Sequence, residues 1–407
     1  MLDFDSFDYF EDLLALSLVA LPLYYVIRWP TLRCIFLGAI GLYLLMLVAP
    51  RLALFYIAFW LLQMSLQHLI RRWPSEDTRW IALSLSILIT LTPMVLWKVM
   101  PTSFIIDFNV RTQQIVNAAS SWLGAIDRIR DILLPIGLSF ATFRAIDVLV
   151  KIHLDLVDPL RPSRLFAFGF FPPVQMIGPV IEVTEIDEEL DRASRPDPRR
   201  ILGGLLIIAL GLIKVFGVSF ILEPSGTVFS PDATGATYQF WFELMRFGLF
   251  FYFNFSGFTD IATGAALLFG FAVQGNFNNP YLKANPQDFW NSWHMSLTRF
   301  CQRNVFVPLG GMRPDRQYLS IMATIMVIAL WHDISIPLVM FGLYHGSGLV
   351  VHRMVADRRP PSTSVWWRCV KVPVHYVYFV LSLPLLLLPL DQLGGFYSNL
   401  IGQGGAS

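Results

Sequence analysis

An all-α, polytopic membrane protein is the fold class this sequence predicts, on three observations. Of 407 residues, 55% are hydrophobic and only 14% charged, and the mean hydropathy is +0.57. Soluble domains carry about 25% charged residues. Apolar runs of about twenty residues, enough to cross the hydrocarbon core as a helix, recur along the chain. Lys and Arg gather in a few short loops, as they do on the cytoplasmic side of membrane proteins.

Taken in order, the runs place spans over 12–27, 34–50, 52–69, 80–98, 131–152, 201–222 and 373–391. Residues 238–272 stay apolar long enough to cross once with a large tilt, or to cross and re-enter. Runs at 319–331 and 335–351 flank a polar break. Shorter pieces at 104–124 and 165–181 read as interfacial or partly inserted. The sum is about ten to eleven crossing or re-entrant elements. No internal repeat is visible, and the whole chain reads as one domain. Within it, 1–130 supply peripheral helices, 131–353 a core, and 354–407 a last helix and tail. The start, "MLDFDSFDYFED", is acidic where a signal peptide is basic, so the first run is expected to stay as a span.

Basic loops at 68–79, 192–200, 311–317 and 352–361, with Arg28 and Arg33, are expected in the cytoplasm. The N-terminus and the loop at 223–237, which has no basic residue, then lie outside. Arg111, Arg128 and Arg130 blur this parity through 99–200. A net charge of +1 excludes a nucleic-acid partner held by a broad basic face. Cys34, Cys301 and Cys369 form no metal-type cluster and read as filler.

Ionisable residues at membrane depth are costly, which makes the few present candidates for function. Glu243 with Arg246 and Asp147 with Lys151 stand at i,i+3 and i,i+4 and read as helix pairs. Asp260, among small residues, reads as a hydrogen-bonding group toward a neighbouring helix. His68, His153, His352 and His375 flank loops, and His345 reads equally as a helix-packing group or a site residue. His332 stands apart: it breaks an apolar run between Trp331 and Asp333, and Pro337 is expected to prevent regular helix there. Irregular backbone at such depth is tolerated only against protein or water, so His332 is expected to face a polar cavity. His294 lies in the polar stretch "NPYLKANPQDFWNSWHMSL" (279–297), expected as a short cytoplasmic-side helical or re-entrant element. Two imidazoles in one cavity suit proton transfer, because histidine titrates near neutrality. Neither has a His or carboxylate at i+3 or i+4, so no metal is expected. No GxSxG elbow supports a hydrolase triad.

Four blocks resemble the membrane-bound O-acyltransferase family, and most closely the bacterial branch with the teichoic acid D-alanyl transferase and the alginate O-acetyltransferase. They are "LLPIGLSFATFRAIDVLVKIH" (133–153), "FAFGFFPPVQMIGPVIE" (166–182), "FYFNFSGFTDIATGAALLFGF" through "WHMSL" to "VFVPLGG" (251–311), and "ALWHDISIPLVMFGLYHGSGLVVHR" (329–353). The resemblance implies helices around a central funnel or tunnel, with His294 and His332 meeting in the membrane core. It makes His332 the base that takes a proton from an acceptor hydroxyl. His294 then orients the substrate or hydrogen-bonds the thioester carbonyl as charge develops. His345 aligns with a less essential family histidine. Trp290, Trp293, Asn291, Asp288, Asp260 and Asp333 are substrate or tunnel candidates. Trp290, Trp293 and Phe289 also read as interfacial anchors, and Asn279, Asn285 and Asn291 as caps and turns. The chain departs from the family in having Gln302-Arg303 where Arg-Asp is usual, and "WHD" for "WHG". Asp333 at a glycine position is expected to clash or to change the turn.

The resemblance further implies no bound cofactor, with an acyl-CoA or acyl-carrier-protein thioester as donor substrate. It also implies a bacterial inner-membrane location, an envelope polymer or lipid as acceptor, and an extracytoplasmic partner protein. Acetyl is the expected group and D-alanyl the alternative. "WHMSL" and "FRAIDVLVKIH" look like the D-alanyl branch, and "VPLGG" like the polysaccharide-acetylating one. From other classes, a transporter predicts inverted repeats and paired broken helices, of which one break is visible. A non-catalytic scaffold is compatible with "WHD".

Overall fold

A computed structural model describes residues 7–48, 50–100, 137–175, 177–192, 196–224, 235–358 and 365–403. Among them there is no strand, and the chain is helical as expected. The apolar piece 104–124, the start of the expected span 131–152, Arg111, Arg128 and Arg130, and residues 225–234 of the outer loop lie outside the described residues.

Two compact units are formed, one from 2–208 with 262–274, the other from 209–261 with 275–407. The first holds α1 (Phe7–Val26), α2 (Pro30–Val48), α3 (Pro50–Arg71), α4 (Arg79–Val99), α5 (Leu138–His153), α6 (Pro162–Gly169) and α7 (Val183–Arg192). Here α5 packs on α3 and α4, and α2 on α6. In the piece 165–181, Leu165, Phe168, Phe170, Phe171 and Ile181 are all buried. An element apolar on every side belongs in an interior, and this one supplies the unit's centre.

Buried charge in this unit is paired. Arg144 donates to the carbonyls of Phe168 (2.8 Å) and Gly169 (3.3 Å) at the end of α6, flanked by the Trp60 and Phe168 rings. Lys151 Nζ lies 3.2 Å from Asp147 Oδ2, 2.8 Å from Glu182 and 3.0 Å from Thr184. Asp147 Oδ2 also accepts from the backbone N–H of Val183 (2.9 Å). Thus the pair expected at i,i+4 forms and ties the two sequence blocks 133–153 and 166–182 together. A charge left alone in such surroundings costs several kcal/mol, about 3–5 when its partner is removed.

α8 (Pro198–Leu222) contains π turns over Ile213–Ser219. It is followed by α9 (Thr237–Leu268), α10 (Pro286–Trp290), α11 (Met295–Cys301), α12 (Gln317–His332), α13 (Ile336–Arg358), α14 (Val365–Val380), α15 (Pro384–Leu387) and α16 (Leu390–Leu400). In the second unit α8 and α9 approach closely at two glycines. A Cβ on Gly211 would stand 2.7 Å from the carbonyl oxygen of Gly257, and one on Gly257 2.9 Å from that of Gly211. Only glycine allows this approach, a common device between membrane helices. Three residues further along each helix, Lys214 Nζ meets Asp260 Oδ2 at 2.5 Å. Glu243 and Arg246 pair at 3.4 Å.

Five helices are long and apolar enough to cross a membrane among the described residues: 30–47, 52–71, 76–99, 198–222 and 366–387. Two shorter apolar helices cover 12–26 and 317–332. Along α8, Leu205, Leu206, Leu210, Ile213, Phe220 and Ile221 are each more than half exposed. Such a surface is stable in lipid and not in water. The chain is therefore a multi-pass membrane protein. The expected ten to eleven elements exceed these five spans; α9 and α13, with 32 and 23 residues, are as long but less uniformly apolar.

Two local expectations are corrected. Pro337 does not prevent helix: it occupies the first turn of α13, where a missing N–H costs nothing. The break consists of Asp333 to Ser335, between α12 and α13. His375 does not flank a loop; it is buried within α14.

Candidate active site

The polar stretch 279–297 folds as a chain of short elements in the second unit. Asn279 takes a left-handed conformation ahead of a 3-10 turn at Pro280–Leu282. Asn285 caps α10, its Oδ1 accepting from Asp288 N–H (2.8 Å) and its Nδ2 donating to Asp288 Oδ2 (2.7 Å). Asp288 is thereby an exposed capping partner, and Asn291 closes the same helix at the surface. Four residues after α10 begins to turn back, His294 precedes α11 with φ 43° and ψ 52°. A non-glycine residue held left-handed is strained by about 1 kcal/mol or more and persists only where its surroundings fix it.

What fixes it is Asn276. The backbone of Asn276 accepts from Met295 N–H (2.8 Å), and Asn278 N–H donates to Ser292 O (2.9 Å), clasping the loop. The Asn276 Oδ1 atom meets Ser296 N (3.0 Å), Ser296 Oγ (2.8 Å) and His294 Nδ1 (3.2 Å). The His294 ring is buried, edge-on to Phe255 of α9 (5.1 Å between centroids) and to Trp331 of α12 (6.1 Å). Trp331 in turn lies 4.5 Å from the ring of His332, the last residue of α12. His294 thus packs against the indole of the residue that precedes His332. His294 is enclosed while His332 is exposed at a helix end.

His294 lies outside the apolar spans. Burial, reinforced by His332 nearby, holds its imidazole down to about 3. In the unfolded chain histidine titrates near 6.5. Between about 6.5 and 3 the unfolded state therefore binds the extra proton, and stability falls as the pH drops below about 6.5, by up to about 1.4 kcal/mol per unit. Thermal unfolding in detergent, followed from about pH 7.5 to 5, should show this loss, and His294→Gln should make it smaller.

His345 is not brought to this pair. It is buried in α13 among Trp290 (5.3 Å), Phe341 (4.5 Å) and Tyr378 (5.5 Å). Ser382 Oγ donates to Phe379 O (2.7 Å) and so accepts from His345 Nε2–H (2.8 Å). These are the contacts of a helix-packing group. Asp260 is engaged with Lys214, as described. Trp290 and Trp293 are buried rather than interfacial, at 7% and 6% exposure. Trp293 packs among Phe251, Phe277, Tyr281, Phe289 and Phe379, with centroids 5.1–5.9 Å away. Asp333 neither clashes nor distorts: its φ of −164° is extended backbone open to any residue, and its side chain is at the surface. Gln302 is exposed and opens a π turn, in which Asn304 Nδ2 donates to Phe300 O (2.9 Å).

Reading the sequence did not single out Asn276, Phe255 or Trp331 as members of this site. Asn276 carries the weakest signal, one carboxamide in the turn-rich run "GNFNNP".

The chain is 27% identical over 238 residues to a probable alginate O-acetylase of Azotobacter vinelandii, covering 58% of this chain and 48% of that protein. It is 28% identical over 255 residues to a peptidoglycan O-acetyltransferase of Helicobacter pylori, covering 54% and 48%. With a teichoic acid D-alanyltransferase of Streptococcus thermophilus it shares 27% over 328 residues, covering 74% and 70%. The chain spans about half the length of the first two relatives. The model of the family described as MBOAT, membrane-bound O-acyltransferase, matches residues 157–382, more than half of the chain and both histidines, and the chain belongs to that family.

Proposed function

We propose that this protein is an O-acyltransferase that moves an acyl group, acetyl by preference, from a cytoplasmic thioester to a hydroxyl of an extracytoplasmic envelope polymer or lipid-linked polymer. What supports this reading is membership of the family together with the packing of His294 against Trp331, the residue that precedes His332. His332 takes the proton of the acceptor hydroxyl, and the oxygen forms a bond to the thioester carbonyl carbon. The tetrahedral intermediate collapses with breakage of the C–S bond, and the leaving sulfur recovers the proton. The carbonyl end of α12 bears partial negative charge, which suits a base that becomes positive during the reaction. No cofactor has a role in this scheme: acyl-CoA or an acyl-carrier protein enters as substrate. The N-terminus lies outside the bacterial inner membrane, and a partner protein on that side presents the acceptor. Acetyl is favoured because relatives from two kinds of envelope polymer, alginate and peptidoglycan, are O-acetylating proteins.

D-alanyl transfer from a carrier protein is the second reading, supported by the long shared segment with the D-alanyltransferase of Streptococcus thermophilus. The two are separated by supplying membranes containing the protein with labelled acetyl-CoA or with carrier-bound D-alanine. Label from acetyl-CoA in an envelope polymer is the expected result. Label from the carrier alone establishes the second reading, and label from neither removes the enzyme reading.

A further inference from the structure

Three distances around Asn276 determine more than the position of His294. The backbone N–H of Ser296 is an obligate donor, so the Asn276 atom 3.0 Å from it is the carbonyl oxygen and not the amide nitrogen. That same oxygen lies 3.2 Å from His294 Nδ1. A carboxamide oxygen has no proton to give. The hydrogen between them therefore belongs to Nδ1. A neutral imidazole carries one N–H, so Nε2 holds the lone pair. A flip of the ring would put Cδ2 where Nδ1 stands and lose the bond to Asn276, and the backbone clasp holds His294 in place.

We infer that Asn276 is a positioning residue which sets His294 as a hydrogen-bond acceptor at Nε2, so that His294 stays neutral beside the base and does not donate to the thioester carbonyl. This rests on the acyl-transfer reading of the two histidines. It revises the role implied for His294 by family resemblance, since a carbonyl ligand must donate. When His332 takes the hydroxyl proton it becomes an imidazolium with two N–H groups. One holds the transferred proton that later passes to the leaving sulfur. Because His294 stays neutral with an unprotonated Nε2, it sets no like charge near the imidazolium, to which it is electrostatically coupled, and no proton moves on to His294. His332 is the titratable group that faces His294; Asn276, Ser296 and Phe255 on its other sides are uncharged.

Two measurements test this. Nitrogen-15 spectra of histidine-labelled protein, with the His294 signals assigned by their loss in His294→Gln, read the tautomer without any turnover. A protonated Nδ1 and an unprotonated Nε2 at neutral pH are expected, and the reverse assignment overturns the inference. In the transfer assay, Asn276→Leu is expected to lower kcat about 10- to 100-fold with the donor KM within about twofold. Asn276→Asp keeps an acceptor oxygen but places a carboxylate on Nδ1, which favours a His294 imidazolium whose Nε2–H now repels the positive His332. Its acid limb of kcat is expected to move to higher pH, with activity recovered on the alkaline side. Unchanged kcat in folded Asn276→Leu, or an unmoved limb in Asn276→Asp, overturns the inference. If neither donor is used by the wild type, the acyltransferase reading fails, while the nitrogen spectrum still decides the tautomer.

Discussion

His332→Ala is expected to lower acyl transfer by about two to four powers of ten, the range an imidazole general base contributes. The variant should fold. His332 is exposed, stands at the last position of α12, and alanine is a better helix former at such a place. The loss should therefore appear in kcat, with melting temperature and donor KM close to those of the wild type. The measurement is turnover of labelled donor in reconstituted membranes beside a thermal melt of the same preparation. Turnover within about tenfold of wild type in a folded variant removes His332 as the base. A fall in activity accompanied by a fall in stability assigns His332 a packing role instead.

Trp293→Ala should fail for the opposite reason. Its indole is buried and in ring contact with Phe251, Phe277, Tyr281, Phe289 and Phe379. Removing a buried indole leaves a cavity and costs about 3–5 kcal/mol. Tyr281 donates its hydroxyl to Gly248 O at 2.7 Å, so the cluster cannot close up freely by moving that ring. The expected outcome is loss of a monodisperse, cooperatively melting protein. Trp293→Phe, which keeps an aromatic plate in the stack, should recover most of the stability and retain turnover. A folded Trp293→Ala with normal melting and altered donor KM shows instead that Trp293 lines the substrate path.

The contrast between these residues shows how far the sequence can be read. The polytopic helical class follows from composition and run length, because lipid rewards long apolar helices whatever their partners. His294 and His332 stand out by chemistry: an imidazole in greasy surroundings is conspicuous. Charged pairs one turn apart, Asp147 with Lys151 and Glu243 with Arg246, are legible because helical spacing alone brings them together. Other features depend on contacts that no local period encodes. Trp293 reads as an anchor until five rings from separate segments are seen to enclose it. His375 looked like a loop residue because α14 begins eight residues before the run expected at 373. Asp333 was expected to clash because a glycine suggests special backbone, whereas the backbone here is extended.

The clasp at Asn276 has a consequence for the order of assembly. The bonds made by Asn276 itself join residues 18 to 20 positions apart, through the side chain to His294 and Ser296 and through the backbone to Met295. Closing a loop that short carries a small entropic cost, which rises only by about 0.6 kcal/mol for each doubling of length. The enclosed histidine is thus set by its own neighbourhood of chain as soon as that stretch has been made. His332 arrives with a later helix, which must dock before its indole neighbour can reach the waiting ring. On the proposed acyl-transfer reading the centre is completed in two stages, a local one that builds a wall and a distant one that supplies the base.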